Sequence, residues 1–253
     1  MQKIIIGILA VLFIGLLYLN FGTVKDNQIV KNLDNEQEKT TLTKKKDSKV
    51  TPKKENKKET VSQEEKNEEN SMLTFKDEDL NNTYRTLQEK NEPLIVSILL
   101  PSYYSDTFVE GLESKFDTPS VQFKRVDIDS NTTNLESLSI YENSDAVILS
   151  ALQVQDYNDE VLNTHDIESI LKYYMAFYNA GMTSIVLSDP NAENHDNLEN
   201  VLLTDQEYMS KNDFYFIDNL SIDTETMYDQ KTNTLSTETE NQIQNNIKKF
   251  LIK

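Results

Sequence analysis

The stretch DAVILSALQVQDYNDEVLNTHDIESILKYYMAFYNAGMTSIVLSDP, residues 145–190, indicates how the chain folds. Residues 145–152 are an almost continuous apolar run, which is typical of a strand covered on both faces. Residues 166–180 place large apolar side chains on one side of a helix, and Gly181 follows as its left-handed cap. A second apolar run, residues 183–188, follows this helix. A strand, a helix and a strand in this order predict two parallel strands joined by a crossover.

The same alternation continues on both sides of this stretch. Residues 121–128 alternate apolar and polar side chains, as a half-exposed edge strand does. The helix at residues 166–180 is expected to be the longest. The prediction is a three-layer α/β/α sandwich with a parallel five-stranded sheet, flavodoxin-like in layout, over residues 76–253. The other predicted strands are residues 93–100 and 214–218, and the other predicted helices are residues 77–90, 107–116, 203–211 and 239–251.

Composition excludes several classes of function. Residues 76–253 carry 12 Lys and Arg against 32 Asp and Glu, a net charge of −20, which excludes nucleic-acid binding as the main task. The chain has no Cys and only five Gly, so disulfides, thiolate nucleophiles, phosphate-binding glycine loops and a glycine-flanked nucleophile elbow are excluded. Residues 127–131 begin like a calcium loop, but Thr132 and Leu138 stand where that loop needs Gly and Glu. We expect no metal site and no cofactor.

Residues 1–22 are predicted to be an uncleaved signal anchor, a transmembrane helix. Residues 4–19 are apolar or small without interruption, and such a helix is about 24 Å long, enough to cross a thinned bilayer. A cleaved signal peptide is the alternative, but residues 18–22 offer no small-residue cleavage site. With Lys3 on the cytoplasmic side, we expect a single-pass cell-membrane protein whose carboxyl-terminal domain is extracytoplasmic.

Residues 23–75 are predicted to be a disordered, charged linker, because they hold hardly any large apolar side chain. Eight lysines lie within residues 44–58, and five glutamates follow within residues 59–69. The lysine block is either a solvated spacer or a patch that docks on anionic wall polymer or lipid headgroups. The sequence leaves both interpretations open.

The order of elements resembles the SGNH/GDSL hydrolase family. The resemblance is strongest from residue 145 to residue 190, and a fifth strand reading Phe-Ile-Asp and a last amphipathic helix extend it over residues 94–251. It implies the SGNH-hydrolase-like sandwich, with working residues after the carboxyl ends of the strands. It also implies a serine nucleophile after the first strand, Gly and Asn oxyanion donors after the third, and an Asp and a His before the last helix.

Each of these motifs is altered in this chain. Ser102 stands at the nucleophile position, but residues 100–101 read Leu-Pro where the family has Gly-Asp. Gln155 stands at the oxyanion position, without the Gly. Asp229 matches the family's Asp before the last helix, while Thr232 stands where the His would be. A threonine cannot act as the base that a serine nucleophile needs at neutral pH.

The chain has two histidines that could replace the missing base. His195 follows the fourth predicted strand, so it could face Ser102 or Ser105 at the edge of the sheet; the alternative is a solvated loop histidine. His165 is interpreted as a helix-start residue in a polar loop, and the alternative is a metal site shared with Glu168.

Three functions follow from these observations. The first is a catalytically degenerate SGNH-like domain, tethered outside the membrane, that binds envelope glycan, acylated polymer or a protein partner. The second is a divergent serine esterase acting on envelope glycan or lipid, with Ser102 as nucleophile and Asp229 and His195 as partners. The third is a structural subunit of an envelope complex. The loss of Gly, Asn and His at three separate places favours the first and the third.

The anchor predicts where the protein is found after fractionation. The full chain should remain in the membrane fraction, and protease added outside wall-stripped cells should release a soluble fragment by cutting between Lys25 and Phe75. Immunoblotting of both fractions is the measurement. A mature form lacking the first 20 or so residues, recovered from the medium, would contradict this prediction.

Overall fold

The computed structural model describes residues 72–192, 194–224, 226–229 and 231–253. The predicted anchor and all but the last few residues of the predicted linker lie outside the described residues. Within the part of the chain that is described, no helix is both long and apolar enough to cross a membrane.

The described residues form a parallel five-stranded sheet with the strand order β2-β1-β3-β4-β5. Every residue of β3 is buried, because this strand lies between two neighbours and between two helical layers. Strand β2 is the edge strand that its alternating pattern predicts. The strands are β1 Leu94–Pro101, β2 Val121–Ile128, β3 Ala146–Ser150, β4 Thr183–Leu187 and β5 Phe216–Ile217.

Helices cover both faces of this sheet, so the predicted three-layer sandwich is confirmed. Neighbouring residues of β1 and β3 point to opposite faces, which splits the core into two clusters. One cluster packs Ile98 and Ile148 against α1, α2 and α6, and the other packs Leu99 and Leu149 against α4. The helices are α1 Glu78–Glu89, α2 Phe108–Phe116, α3 Gln153–Asn158, α4 Ile167–Asn179, α5 Asp196–Lys211 and α6 Thr237–Leu251.

Three predicted elements differ from the structure. Helix α5 begins at Asp196 rather than at residue 203, because Leu198 and Leu202 bury one face of its first turns. Among the described helices α5 is therefore the longest, at 16 residues against 13 in α4, so the expectation for residues 166–180 was wrong. The fifth strand, predicted at residues 214–218, pairs over two residues only.

Two short features were not expected. Helix α3 follows β3 directly, after Leu152 takes a left-handed backbone conformation with φ of 62°. Strands β6, Tyr228–Asp229, and β7, Thr234–Leu235, form an antiparallel hairpin before α6. Helix α3 lies at the carboxyl edge of the main sheet, because it follows β3 directly. The hairpin lies next to this edge, since Leu235 N donates to the carbonyl of Tyr103 at 2.8 Å.

The start and the end of the described domain are joined. Phe75 is fully buried and forms an antiparallel bridge with Ile252. Lys253 N donates to the Thr74 carbonyl at 2.9 Å, and Lys76 N donates to the Leu251 carbonyl at 2.8 Å. The ring of Phe75 also meets Tyr84 of α1 edge to face, with ring centroids 5.1 Å apart. Phe75 therefore belongs to the core, and its neighbours Thr74 and Lys76 are bound to the end of the domain.

This junction predicts a large effect of Phe75. Phe75→Ala should lower the free energy of unfolding by about 3–5 kcal/mol, because a filled aromatic site becomes a cavity. Met72→Ala, at a side chain that is 55% exposed, is the control and should change it by about 0.5 kcal/mol or less. Urea unfolding followed by circular dichroism measures both, and equal stabilities of the two variants would contradict the prediction.

Candidate functional site

A buried network of polar side chains fills the carboxyl edge of the sheet. Its centre is His165, whose Nδ1 lies 2.8 Å from Asp156 Oδ2 and whose Nε2 lies 2.9 Å from Asp205 Oδ2. The side chains of His165, Asp156 and Asp205 are exposed by 5% or less. Because both ring nitrogens face carboxylates, the geometry fits the doubly protonated, positively charged imidazole.

The network holds together segments that are far apart in sequence. Asp156 lies on α3 and Asp205 on α5, while His165 precedes α4. The other oxygen of Asp156 accepts the backbone N–H of Thr132 at 2.9 Å, and the Thr132 hydroxyl donates to Asp156 Oδ2. Asp205 also accepts from Nε2 of Gln153 at 2.7 Å. Segments that follow β2, β3 and β4 are thus held together by one buried cluster of charged side chains.

Gln153 connects this network to Asp189, which lies just after β4. The Asp189 N–H donates to Gln153 Oε1 at 3.0 Å. The Asp189 carboxyl accepts from the hydroxyl of Tyr103 at 2.6 Å, from that of Tyr104 at 3.0 Å and from the Val154 N–H at 3.1 Å. All of these groups are buried. The edge where ligands bind in many α/β proteins is therefore closed here by the protein's own side chains.

Burial shifts the ionisation of this network. Burial alone would lower the pKa of His165, but the hydrogen bonds and charges of Asp156 and Asp205 outweigh it and raise that pKa to about 9. Burial raises the pKa of Asp189 to about 6, against the hydrogen bonds from Tyr103, Val154 and Tyr104, which lower it. Burial and the nearby Asp189 also raise the pKa of both tyrosines.

A second polar contact joins the loop after β1 to α6. Ser105 Oγ donates to Glu240 Oε2 at 2.6 Å, and Ser105 N donates to Glu240 Oε1 at 2.6 Å. Glu240 is 5% exposed, and burial raises its pKa against these hydrogen bonds and the charge of Arg125. The Arg125 guanidinium donates to the carbonyls of Ser105 and Tyr104 at 2.6 and 3.1 Å. This clamp fixes the loop and leaves Ser105 partly accessible.

Ser105 and Glu240 border an open depression of about 890 Å³, which we call the hairpin depression. The β6–β7 hairpin and the first turn of α6 form most of its wall. Hydroxyl groups dominate its lining and carboxylates come next. Its lining consists of Ser105, Thr107, Thr226, Tyr228, Asp229, Lys231, Thr232, Thr234, Leu235, Ser236, Thr237, Glu238 and Glu240.

The four residues predicted as a catalytic set make separate contacts. Ser102 is exposed and, among the described residues, makes no side-chain hydrogen bond. His195 is the N-cap of α5, where its Nδ1 accepts from Asn197 N at 3.3 Å, and its ring centroid lies 5.2 Å from that of Tyr157. These contacts account for His195 without a serine partner.

The other two predicted residues have local partners as well. Gln155 donates from Nε2 to both carboxylate oxygens of Asp159 at 3.1 Å. Asp229 lines the hairpin depression and accepts from Lys231 N at 2.8 Å. Within the described ranges, no hydrogen bond links Ser102, Gln155, Asp229 and His195 to one another, and the catalytic roles predicted for them stay predictions.

His165 lies just before α4, as the interpretation of it as a helix-start residue requires, but its side chain is buried between two carboxylates, which the polar sequence around it does not indicate. Its ring nitrogens face Asp156 and Asp205 rather than Glu168, which is exposed. In the part of the chain that the structure describes, no group of three or more His, Asp and Glu side chains could hold a metal ion. The alternative of a metal site shared by His165 and Glu168 thus has no geometric basis among these residues.

The sequence reasoning missed Glu240 and Asp205, and it named Ser105 only as a residue that His195 could face. Glu240 lies on the buried face of α6, four residues after Ser236 and three before Ile243, and a carboxylate on a buried helix face is a signal that could have been used. Asp205 occupies the equivalent kind of position on α5, between Leu202 and Met209. Their partners lie 135 and 40 residues away in the chain, which no local pattern indicates.

No protein-family model matches this chain, and no curated protein matches it. Two solved structures are similar to it. One is described as a lipolytic protein of the G-D-S-L family from Desulfitobacterium hafniense DCB-2, with 11% identity, a TM-score of 0.44, and coverage of 62% of this chain and 99% of that chain. The other is described as a platelet activating factor from Streptococcus pneumonia, with 18% identity, a TM-score of 0.42, and coverage of 68% and 90%. The first carries the family name that the sequence resemblance predicted.

The buried imidazolium predicts how stability depends on pH. Its folded pKa of about 9 lies above the ordinary 6.5, so its stabilising effect is complete below pH 6.5 and is lost as the pH rises through 9. The free energy of unfolding should fall by about 3 kcal/mol between these values, since each pKa unit corresponds to about 1.4 kcal/mol. The raised pKa of Asp189 acts in the same direction between pH 4 and 6. Urea unfolding at pH 6.5 and 9.5 measures the effect.

Two histidine variants test its origin. His165→Gln should lower the free energy of unfolding at pH 6.5 by about 3–5 kcal/mol, because Asp156 and Asp205 lose their cation, and it should remove the pH dependence. His195→Gln, at an exposed position, is the matched control and should keep it. The same pH dependence in wild type and His165→Gln would show that this interpretation of the network is wrong.

Proposed function

We propose that this chain is a membrane-tethered, extracytoplasmic domain of SGNH-hydrolase-like fold that has lost Ser–His hydrolysis and binds the cell envelope, through a polymer or a protein partner. One observation carries the proposal: neither histidine faces a serine. His165 is held by Asp156 and Asp205, and His195 caps α5 and contacts the ring of Tyr157 at a tilted angle. A serine hydroxyl without a base in reach is a poor nucleophile, and among the described residues no side chain forms the hydrogen bond that would activate Ser102.

The shape of the edge supports a binding role. A lipolytic site needs an apolar channel for an acyl chain, while the hairpin depression is open and lined mainly by hydroxyls and carboxylates. The oxyanion position is also changed, because Leu152 and Gln155 replace the small Gly and the Asn of the family. Binding of a ligand requires neither an apolar acyl channel nor the oxyanion donors.

The tether supports a partner close to the membrane. A flexible linker of the length of residues 23–75 has a root-mean-square span of about 35–45 Å, so a domain behind the predicted anchor would stay within reach of the envelope layer next to the bilayer. The net charge of −20 on residues 76–253 disfavours anionic lipid as the ligand of the domain itself.

A second candidate is a divergent serine esterase, and one contact favours it. Ser105, rather than Ser102, donates to a carboxylate at 2.6 Å and borders the depression. In such an enzyme Glu240 would take the Ser105 proton while Oγ attacks an acyl carbonyl, and the departing alkoxide would receive that proton. Water would then hydrolyse the acyl-serine, releasing a carboxylic acid and restoring Ser105. Against this candidate, the bond from Ser105 N to the same carboxylate is what a purely structural clamp requires.

Hydrolysis assays separate the two candidates. The detergent-solubilised full chain is incubated with p-nitrophenyl acetate and with acetylated xylan, beside Ser105→Ala, Glu240→Gln, Ser102→Ala and His195→Ala. We expect the uncatalysed rate in all five proteins, because no activated nucleophile exists. Wild-type protein should likewise gain no mass from a fluorophosphonate that labels active serines.

Two other results would contradict the binding proposal. Turnover that is lost in Ser105→Ala and Glu240→Gln but kept in Ser102→Ala would establish the carboxylate-based esterase. Turnover that is lost in Ser102→Ala and His195→Ala would establish the Ser–His site predicted from the sequence resemblance.

A further inference from the structure

We propose that the hairpin depression binds a segment of an uncharged saccharide chain; this deepens the proposed binding function and rests on it. Eight of the thirteen described residues that line the depression carry a hydroxyl group. A hydroxyl both donates and accepts hydrogen bonds, as the hydroxyls of a sugar do, so such a surface can pair with a sugar in several orientations.

Some of these hydroxyls are available to a ligand. Thr226 and Thr237 are exposed and, among the described residues, their hydroxyls make no hydrogen bond. Thr232 and Thr234 pair with each other at 2.7 Å at the rim, and a hydroxyl pair retains free lone pairs. The ring of Tyr228 supplies an apolar surface among these polar groups, as amphipathic aromatic side chains do at wet interfaces.

Charge and shape disfavour anionic ligands and acyl chains. Asp229, Glu238 and Glu240 against Lys231 leave the depression negative within an already acidic domain, so anionic wall polymers and phosphate-bearing headgroups are repelled. Leu235 is almost fully buried and Tyr228 packs partly against the core, so neither forms the deep apolar channel that an acyl chain needs. An open surface also suits a chain that runs across it better than a small molecule that must be enclosed.

The depression is held rigidly enough to be a preformed site. A hydrogen bond from Leu235 N to the Tyr103 carbonyl fixes the hairpin to the edge of the sheet. A second hydrogen bond, from Ser236 N to the Met227 carbonyl at 2.9 Å, joins the residue after β7 to the residue before β6. Leu235 is 2% exposed and Met227 is 6% exposed, so the hairpin is anchored in the core. On the opposite wall, Glu240 fixes Ser105 by two hydrogen bonds. A preformed surface loses little entropy on binding.

Saturation-transfer NMR with the detergent-solubilised full chain tests the proposal. The probe is chitotetraose, an uncharged tetramer of N-acetylglucosamine, beside its fully deacetylated cationic form and tetragalacturonate, which is anionic. We expect binding of chitotetraose with a Kd of about 1 mM or tighter and no binding of tetragalacturonate. Thr237→Trp, which fills the depression from an exposed helix position, should weaken chitotetraose binding by at least about tenfold. Thr83→Trp, at an exposed threonine of α1 outside the depression, should leave it unchanged.

The other outcomes overturn the proposal. The proposal is wrong if chitotetraose does not bind, or if Thr237→Trp binds it as tightly as wild type. It is also wrong if only the cationic tetramer binds, because the negative charge of the depression would then explain the binding. Cosedimentation of the full chain with envelopes isolated from the source organism distinguishes failure of the saccharide site from failure of the broader binding function. Envelope binding that Thr237→Trp does not weaken would overturn the saccharide site and support the broader binding function, while absence of envelope binding would overturn both.

Discussion

One buried charge, the imidazolium of His165 between Asp156 and Asp205, sets the arrangement of the carboxyl edge. An isolated charge in a protein interior costs several kcal/mol, so it is tolerated only when partners satisfy it. Here each ring nitrogen has its own carboxylate, and each carboxylate has a further donor, Thr132 for one and Gln153 for the other. Loss of His165 would leave two buried carboxylates without a cation, and loss of Thr132 or Gln153 would deprive one carboxylate of a hydrogen-bond donor. The loops after three strands are consequently fixed in one arrangement.

This arrangement bears directly on chemistry. A general base needs a free ring nitrogen and a pKa near the working pH. His165 has neither, since both nitrogens are engaged and its pKa lies near 9. The same carboxylates that stabilise the fold therefore remove this histidine from acid–base catalysis. Asp189, with a pKa of about 6, is bound by two tyrosine hydroxyls and a backbone N–H in the interior and is equally withdrawn from solvent.

Local patterns in the sequence predicted the sheet well and the polar edge poorly. Strand β2 was predicted with its observed bounds, and β1, β3 and β4 to within two residues, because apolar runs between turn residues are local signals. The start of α5 was missed because residues 196–202 are mostly polar, and only packing shows that Leu198 and Leu202 are buried. The burial of His165 was missed for the same reason: its neighbours in sequence are polar, and its partners are brought together by the fold.

At the carboxyl edge of this sheet, the polar side chains form hydrogen bonds to one another. Active sites are usually destabilised places, because groups that must bind a substrate are left unpaired in the free protein. In this chain the corresponding groups are paired: Asp189 with two tyrosines, His165 with two aspartates, and Glu240 with Ser105. Pairing of this kind stabilises the edge. On the hairpin depression, the exposed hydroxyls of Thr226 and Thr237 have no partner among the described residues, and hydrogen bonding to a ligand there needs no change in protonation. A paired edge with a hydroxyl-lined surface beside it is the physical basis of the proposed binding role.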